Sequence, residues 1–172
     1  MPNQFREIHQ AMLFYGFDNN NYFPGLNPDG SLLTNDPAQR FELLLDGNYT
    51  SISNLVSPAD VRPDALAESK YSYAILDIAS PGARRDAWTT EAVPDAPILA
   101  ESPAALGRPE EWSGWVLWHS AYVTAESAAM SVEQAESSRL DTRYSEELPL
   151  NVNDDLFVAE SADDAYLIET DE

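Results

Sequence analysis

The chain has 172 residues, enough for one domain, and a formal net charge of −21 from 30 Asp and Glu against 9 Lys and Arg. So acidic a surface excludes the phosphate-neutralising contacts on which nucleic-acid affinity depends, and it is repelled by anionic membrane surfaces. The absence of cysteine removes disulfides, thiolate metal sites and cysteine nucleophiles.

The first element is an amphipathic helix. Phe5, Ile8, Met12 and Tyr15 recur at spacings of three and four, with Ala11 and Leu13 widening the face and Arg6, Glu7 and Gln10 turned away. Gly16 reads as its end, before the loop Asn19-Asn20-Asn21 and Pro24-Gly25. A second helix has Asp36 as N-cap, Pro37 in its first turn, Phe41, Leu44 and Leu45 as its apolar side and Gly47 as its stop. Thr50–Val56 reads equally as a short helix or a strand.

Tyr71–Ile78 carries apolar groups on both faces, which predicts a central strand covered on each side. Ala96–Ala100 is a short strand between prolines. Trp115–Trp118 and Tyr122–Thr124 read as a hairpin with His119 at its exposed tip. Residues 126–150 are polar and irregular, with a weak helical pattern over Ala128–Glu136. Leu156–Val158 and Tyr166–Ile168 close the chain as short strands. Helices first and an antiparallel meander after them predict an α+β class in a single domain over residues 1–172. Its divisions are the helix (1–17), a loop with short helices (18–64) and a β-rich part (65–172).

Two histidines distant in sequence, His9 and His119, and no Gly-x-Ser-x-Gly elbow leave no triad in view, and the chain is expected not to be an enzyme. No metal or cofactor is required by any motif, calcium being the one possibility. Asp18, Asn20, Tyr22 and Asp29 partly follow the ligand spacing of a calcium loop, but Phe23 occupies the place of its glycine. Asp154, Asp155, Asp163 and Asp164 form a second set of oxygen ligands suited to calcium. Trp112, Trp115 and Trp118, with Tyr71 and Tyr73 in reserve, are candidates for a sugar-stacking surface. Three-residue spacing on a strand sets Trp115 and Trp118 on opposite faces.

The helix ending in Asp-Asn-Asn-Asn-Tyr-Phe-Pro-Gly, the Ser-Pro-Ala-Asp step at 57–60 and the tryptophan-rich segment at 112–118 resemble the pilin-like proteins related to type II secretion pseudopilins that abound in planctomycete-type bacteria. The similarity spans nearly the whole chain. Members begin with a basic leader, a prepilin peptidase cleavage and methylation site and a hydrophobic helix half that anchors in the inner membrane. The present sequence starts where the soluble half of that helix would, and Met1-Pro2 reads as the start of a trimmed chain. Where relatives carry Asp-Gly-His-Val, this chain has Ser120, Ala121, Tyr122 and Val123, so no role of that Asp and His is carried over. The resemblance implies a helix packed on an antiparallel sheet, a noncatalytic structural role in a secretion or pilus-like envelope assembly, and a place on the periplasmic face of the inner membrane or the cell surface. Its implied partners are other pilin-like subunits or envelope assembly proteins, with a membrane contact only through the missing helix. The contact residues it implies are Phe5, Ile8, Met12, Tyr15, Asn20, Tyr22 and Phe23. The alternative from the residues themselves is a secreted or periplasmic binding module using the acidic calcium set or the tryptophan surface.

Overall fold

Helix α1 runs from Pro2 to Asp18 and buries Phe5, Ile8, Ala11, Met12 and Tyr15 along one side. It is described by a computed structural model covering residues 2–63, 65, 70–107, 111–119 and 131–170. The helix continues past Gly16, whose role is close approach: a Cβ there would lie 2.5 Å from the Thr90 side chain. The end comes with the asparagines. Asn19 donates its side-chain amide to the Tyr15 carbonyl at 2.8 Å, and Asn20 and Asn21 take left-handed backbone angles (φ 56° and 71°) that asparagine tolerates better than most residues.

Helix α2, Pro37–Asp46, follows its sequence signals. The Asp36 carboxylate accepts from the Ala38 amide at 3.2 Å, and the Gly47 amide returns to the Leu43 carbonyl at 3.3 Å. Phe41 packs against Tyr71 with ring centroids 5.1 Å apart. The ambiguous stretch after it forms one 3₁₀ turn, Ile52–Asn54.

A five-stranded antiparallel sheet has the order β4-β3-β2-β1-β7. Its strands are β1 (Tyr73–Leu76), β2 (Pro97–Glu101), β3 (Gly114–Trp118), β4 (Ser131–Ala135) and β7 (Leu167–Ile168). Every residue of β1 and β2 is buried, as expected of strands covered on both faces. From α1, Phe5 meets Tyr73 edge to face at 5.2 Å. A separate ribbon pairs β5 (Arg139–Thr142) with β6 (Asn151–Asp155). It is tied to the sheet by the Tyr144 hydroxyl, which donates to the Pro97 carbonyl at 2.6 Å, and by the Leu167 amide, which donates to the Leu156 carbonyl at 2.7 Å. Short helices α3 (Ala83–Asp86) and α4 (Pro103–Leu106) complete the α+β arrangement. A single cluster of buried side chains joins α1, α2 and the sheet, including Ile8, Phe41, Ile75, Leu99, Leu117 and Leu167.

Four expectations fail. Residues 126–150, expected to be irregular, hold β4 and β5. The helical pattern over 128–136 gives way to β4, because Ser131–Ala135 finds a full-length partner in β3, from Gly114↔Ala135 to Trp118↔Ser131. The strand at 156–158 lies instead one segment earlier, as β6, and Leu156 is a buried residue of the turn that follows. His119 is buried, not an exposed hairpin tip. The expected strand at 122–124 lies outside the described residues. No helix among the described residues is long and apolar enough to cross a membrane.

Candidate functional site

The apolar stripe of α1 belongs to the interior. Phe5, Ile8, Met12 and Tyr15 are buried by the chain's own sheet and loops, as is Phe23, which meets Trp88 edge to face at 5.2 Å. Such side chains contribute roughly 1.5–3 kcal/mol each to folding, and their burial leaves them almost no exposed surface. Of the contact residues implied by the resemblance, Asn20 is exposed and Tyr22 half-buried. Asn20 donates to the Pro28 carbonyl at 3.0 Å, bracing the loop. The large apolar residues that α1 does present are Phe14 and Phe17, with 59% and 62% of their surface exposed. Three residues apart, they share the outer face with Gln10. Two aromatic residues off the buried stripe were a readable signal, because an amphipathic helix normally keeps that side polar.

The four aspartates do not assemble into one open site. Asp154 is buried, and its Oδ2 accepts from the Thr142 hydroxyl at 2.6 Å and the Ala165 amide at 2.8 Å. Asp164 takes the amides of Glu160 and Ser161 at 2.7 and 2.9 Å and a guanidinium nitrogen of Arg84 at 3.1 Å. Asp163 caps the Ala83 amide at 2.8 Å, and Asp155 accepts from the Phe157 amide at 3.0 Å. Their oxygens are directed at protein donors. In the earlier loop, Asp29 is likewise turned onto Ser31, whose hydroxyl and amide hold its pKa below the usual carboxylate value. Among the described residues, no group of three or more His, Cys, Asp or Glu is placed to hold a metal ion.

The tryptophans divide in the same manner. Trp112 is buried over Gly114, its indole N–H donating to the Glu101 carbonyl at 2.9 Å, with Phe157 edge-on at 5.3 Å. Trp118 is buried as well, and Trp115 is half-buried. A stacking platform needs exposed rings side by side, and these three do not form one. Tyr71 and Tyr73 are core residues.

Unforeseen is a polar knot where β1 leaves the sheet. Three arginines serve four consecutive carbonyls: Arg40 donates to Leu76 at 2.8 Å, Arg84 to Asp77 at 3.0 Å, and Arg85 to Ile78 and Ala79 at 2.9 and 2.6 Å. Asn35 completes it, donating to the Asp77 carboxylate at 2.7 Å and accepting from the Ile78 amide at 2.8 Å. Burial lowers the pKa of Arg40 to about 9, against the opposing pull of Asp77 and Asp36, and its guanidinium lies 4.8 Å from the Trp88 ring centre. Nearby, His9 and His119 are both buried. His119 stacks on Phe23 at 5.8 Å and its Nε2 is 2.7 Å from the Thr89 carbonyl. Burial first, and then the proximity of His119, push the His9 pKa down to about 4. The knot is arranged to hold backbone in place. Nothing in the local sequence around Arg84-Arg85 signals it, since the carbonyls these arginines serve are set by tertiary contact.

Comparison of the chain with protein-family models, curated proteins and solved structures returns no match.

Proposed function

We propose that this chain is the globular part of a noncatalytic, pilin-like subunit that works by assembly in a bacterial cell envelope, in the manner of type II secretion pseudopilins. The observation that carries the reading is the division of α1 into two faces. One packs into an antiparallel sheet, while the other leaves Phe14 and Phe17 uncovered near the helix end. A helix that carries exposed aromatic residues on its outer face suits assembly, because aromatic side chains are enriched at protein interfaces. The noncatalytic part of the reading is supported by how the buried polar groups are used. Arg84, Asp77, Asp154 and Asp164 are occupied with one another and with backbone. The burial of Trp112 and Trp118, and the engagement of the four aspartates, withdraw support from glycan- or calcium-binding alternatives.

The test is the mature N-terminus of the native protein, read by mass spectrometry from fractionated cells. The expected result is a membrane-fraction protein whose chain extends upstream through an apolar helix starting at a methylated residue. A native protein that starts at Met1 and stays with the soluble fraction overturns the proposal.

A further inference from the structure

On another part of the surface, a groove of about 710 Å³ opens between the 82–94 segment and the 144–148 turn. Its apolar lining comes from Ala83, Ala87, Ala92, Val93, Tyr144 and Leu148. Its rim is anionic: Asp86 and Glu91 on the first segment, Glu146 and Glu147 on the second, and Asp163 beside them, all exposed, with no Lys or Arg in the lining. Asp163 is spent on the Ala83 amide. The other four carboxylates make no ion pair or side-chain hydrogen bond among the described residues.

We infer that this groove docks an extended, lysine- or arginine-bearing segment of a partner protein, with its apolar residues on the floor and its cations at the rim. The volume lies within the range of roughly 300–1,000 Å³ usual for ligand clefts. A cleft lined by one sign of charge concentrates the opposite charge. Lys and Arg suit the combination because their aliphatic stems lie along apolar surface while the charged heads reach the carboxylates. The carboxylates sit on both walls and therefore call for several cations spread along a chain. A second copy of this protein is a poor source of them. It has 9 Lys and Arg in total, of which Arg40 and Arg84 are buried and Arg62, Arg85, Arg139 and Arg143 are committed to hydrogen bonds or ion pairs. The occupant is a different chain. This inference stands apart from the assembly reading, since a groove for a basic segment does not depend on Phe14, Phe17 or an upstream helix.

The test uses the full chain and a fluorescein-labelled peptide, Lys-Val-Arg-Leu-Lys, followed by anisotropy in low salt. Saturable binding is expected, and the same peptide with glutamate in place of its cations is expected not to bind. The combined variant Asp86→Asn, Glu91→Gln, Glu146→Gln, Glu147→Gln removes exposed charges without touching a hydrogen bond, and it should weaken binding at least about tenfold. Leu148→Ser on the floor should weaken it by about threefold or more. The control Glu133→Gln, Glu136→Gln neutralises exposed carboxylates elsewhere and should leave affinity within about twofold. Absence of saturable binding, equal losses in the control and groove variants, or displacement of the peptide by spermine at matching concentration would overturn the inference. The last two outcomes mean general acidity and a polyamine site respectively.

Discussion

Arg84 holds Asp164 twice, donating to its backbone carbonyl at 2.7 Å and to its carboxylate at 3.1 Å, while a second nitrogen reaches Asp77 at 3.1 Å. One buried cation thus joins the exit of β1 to the turn before β7. Arg84→Met is expected to lower stability by about 3–5 kcal/mol, because it leaves two carboxylates buried without their counter-charge. Arg84→Lys should recover little, since an ammonium lacks the planar fork that spans both acids. Urea unfolding followed by circular dichroism measures both; a loss below 1 kcal/mol for the methionine variant contradicts this account.

Acid should loosen the region under α1. His9 has a pKa near 4 in the folded chain, against about 6.5 when unfolded. The unfolded state therefore binds more protons between those values, and stability falls as pH drops from about 6.5 to about 4, by up to about 3 kcal/mol from this residue. His9→Gln should flatten that part of the pH profile, leaving the carboxylate-driven loss at lower pH. Thermal melts of both proteins from neutral pH to about pH 4 test it, and parallel profiles would rule out His9 as the cause.

The two faces of α1 should respond oppositely to truncation. Phe5→Ala or Met12→Ala is expected to cost about 2–5 kcal/mol, since each leaves a hole in a packed interior. Phe14→Ala with Phe17→Ala should change stability by no more than about 0.5 kcal/mol and, on the assembly role proposed above, should abolish recovery of partner subunits in crosslinked cells. If the pair destabilises as strongly as Phe5→Ala, the outer face is part of the core.

Calcium should leave the melting temperature unchanged, because the aspartate oxygens already meet protein donors. Asp154→Ala should instead cost about 1–3 kcal/mol, as the Thr142 hydroxyl and Ala165 amide lose their acceptor. A rise in melting temperature with millimolar calcium and not with magnesium would restore a metal site.

What was legible in the sequence is what local physics dictates. The stripe from Phe5 to Tyr15, the Asp36-Pro37 start of α2, the two-sided strand β1 and the short strand β2 depend on local pattern, and they stand where expected within a residue or two. β4, β5 and β6 escaped because Ser-Val-Glu-Gln-Ala, Arg-Leu-Asp-Thr and Asn-Val-Asn-Asp-Asp are poor strand formers by composition; the pairing of β4 with β3 and of β5 with β6 overrides that preference. The acidic set and the tryptophans are placed otherwise than their residue types suggest, for one reason. Chemical type says what a side chain is able to bind, whereas tertiary placement had already supplied Asp154 with Thr142 and Trp112 with Glu101.

The separation of eighty positions between Arg84 and Asp164 also sets an order in time. As the chain leaves the ribosome, α1, α2 and the meander β1–β2–β3 are available long before Ser161 and Asp164 exist to receive the guanidinium. Until then Arg84 has no acidic partner beyond Asp77, and β1 lacks its neighbour β7. Closing so long a loop is slow relative to forming local contacts. The nascent protein therefore waits with one sheet edge open and one charge half-neutralised, and the segment from Ser161 through β7 is the latch that closes both.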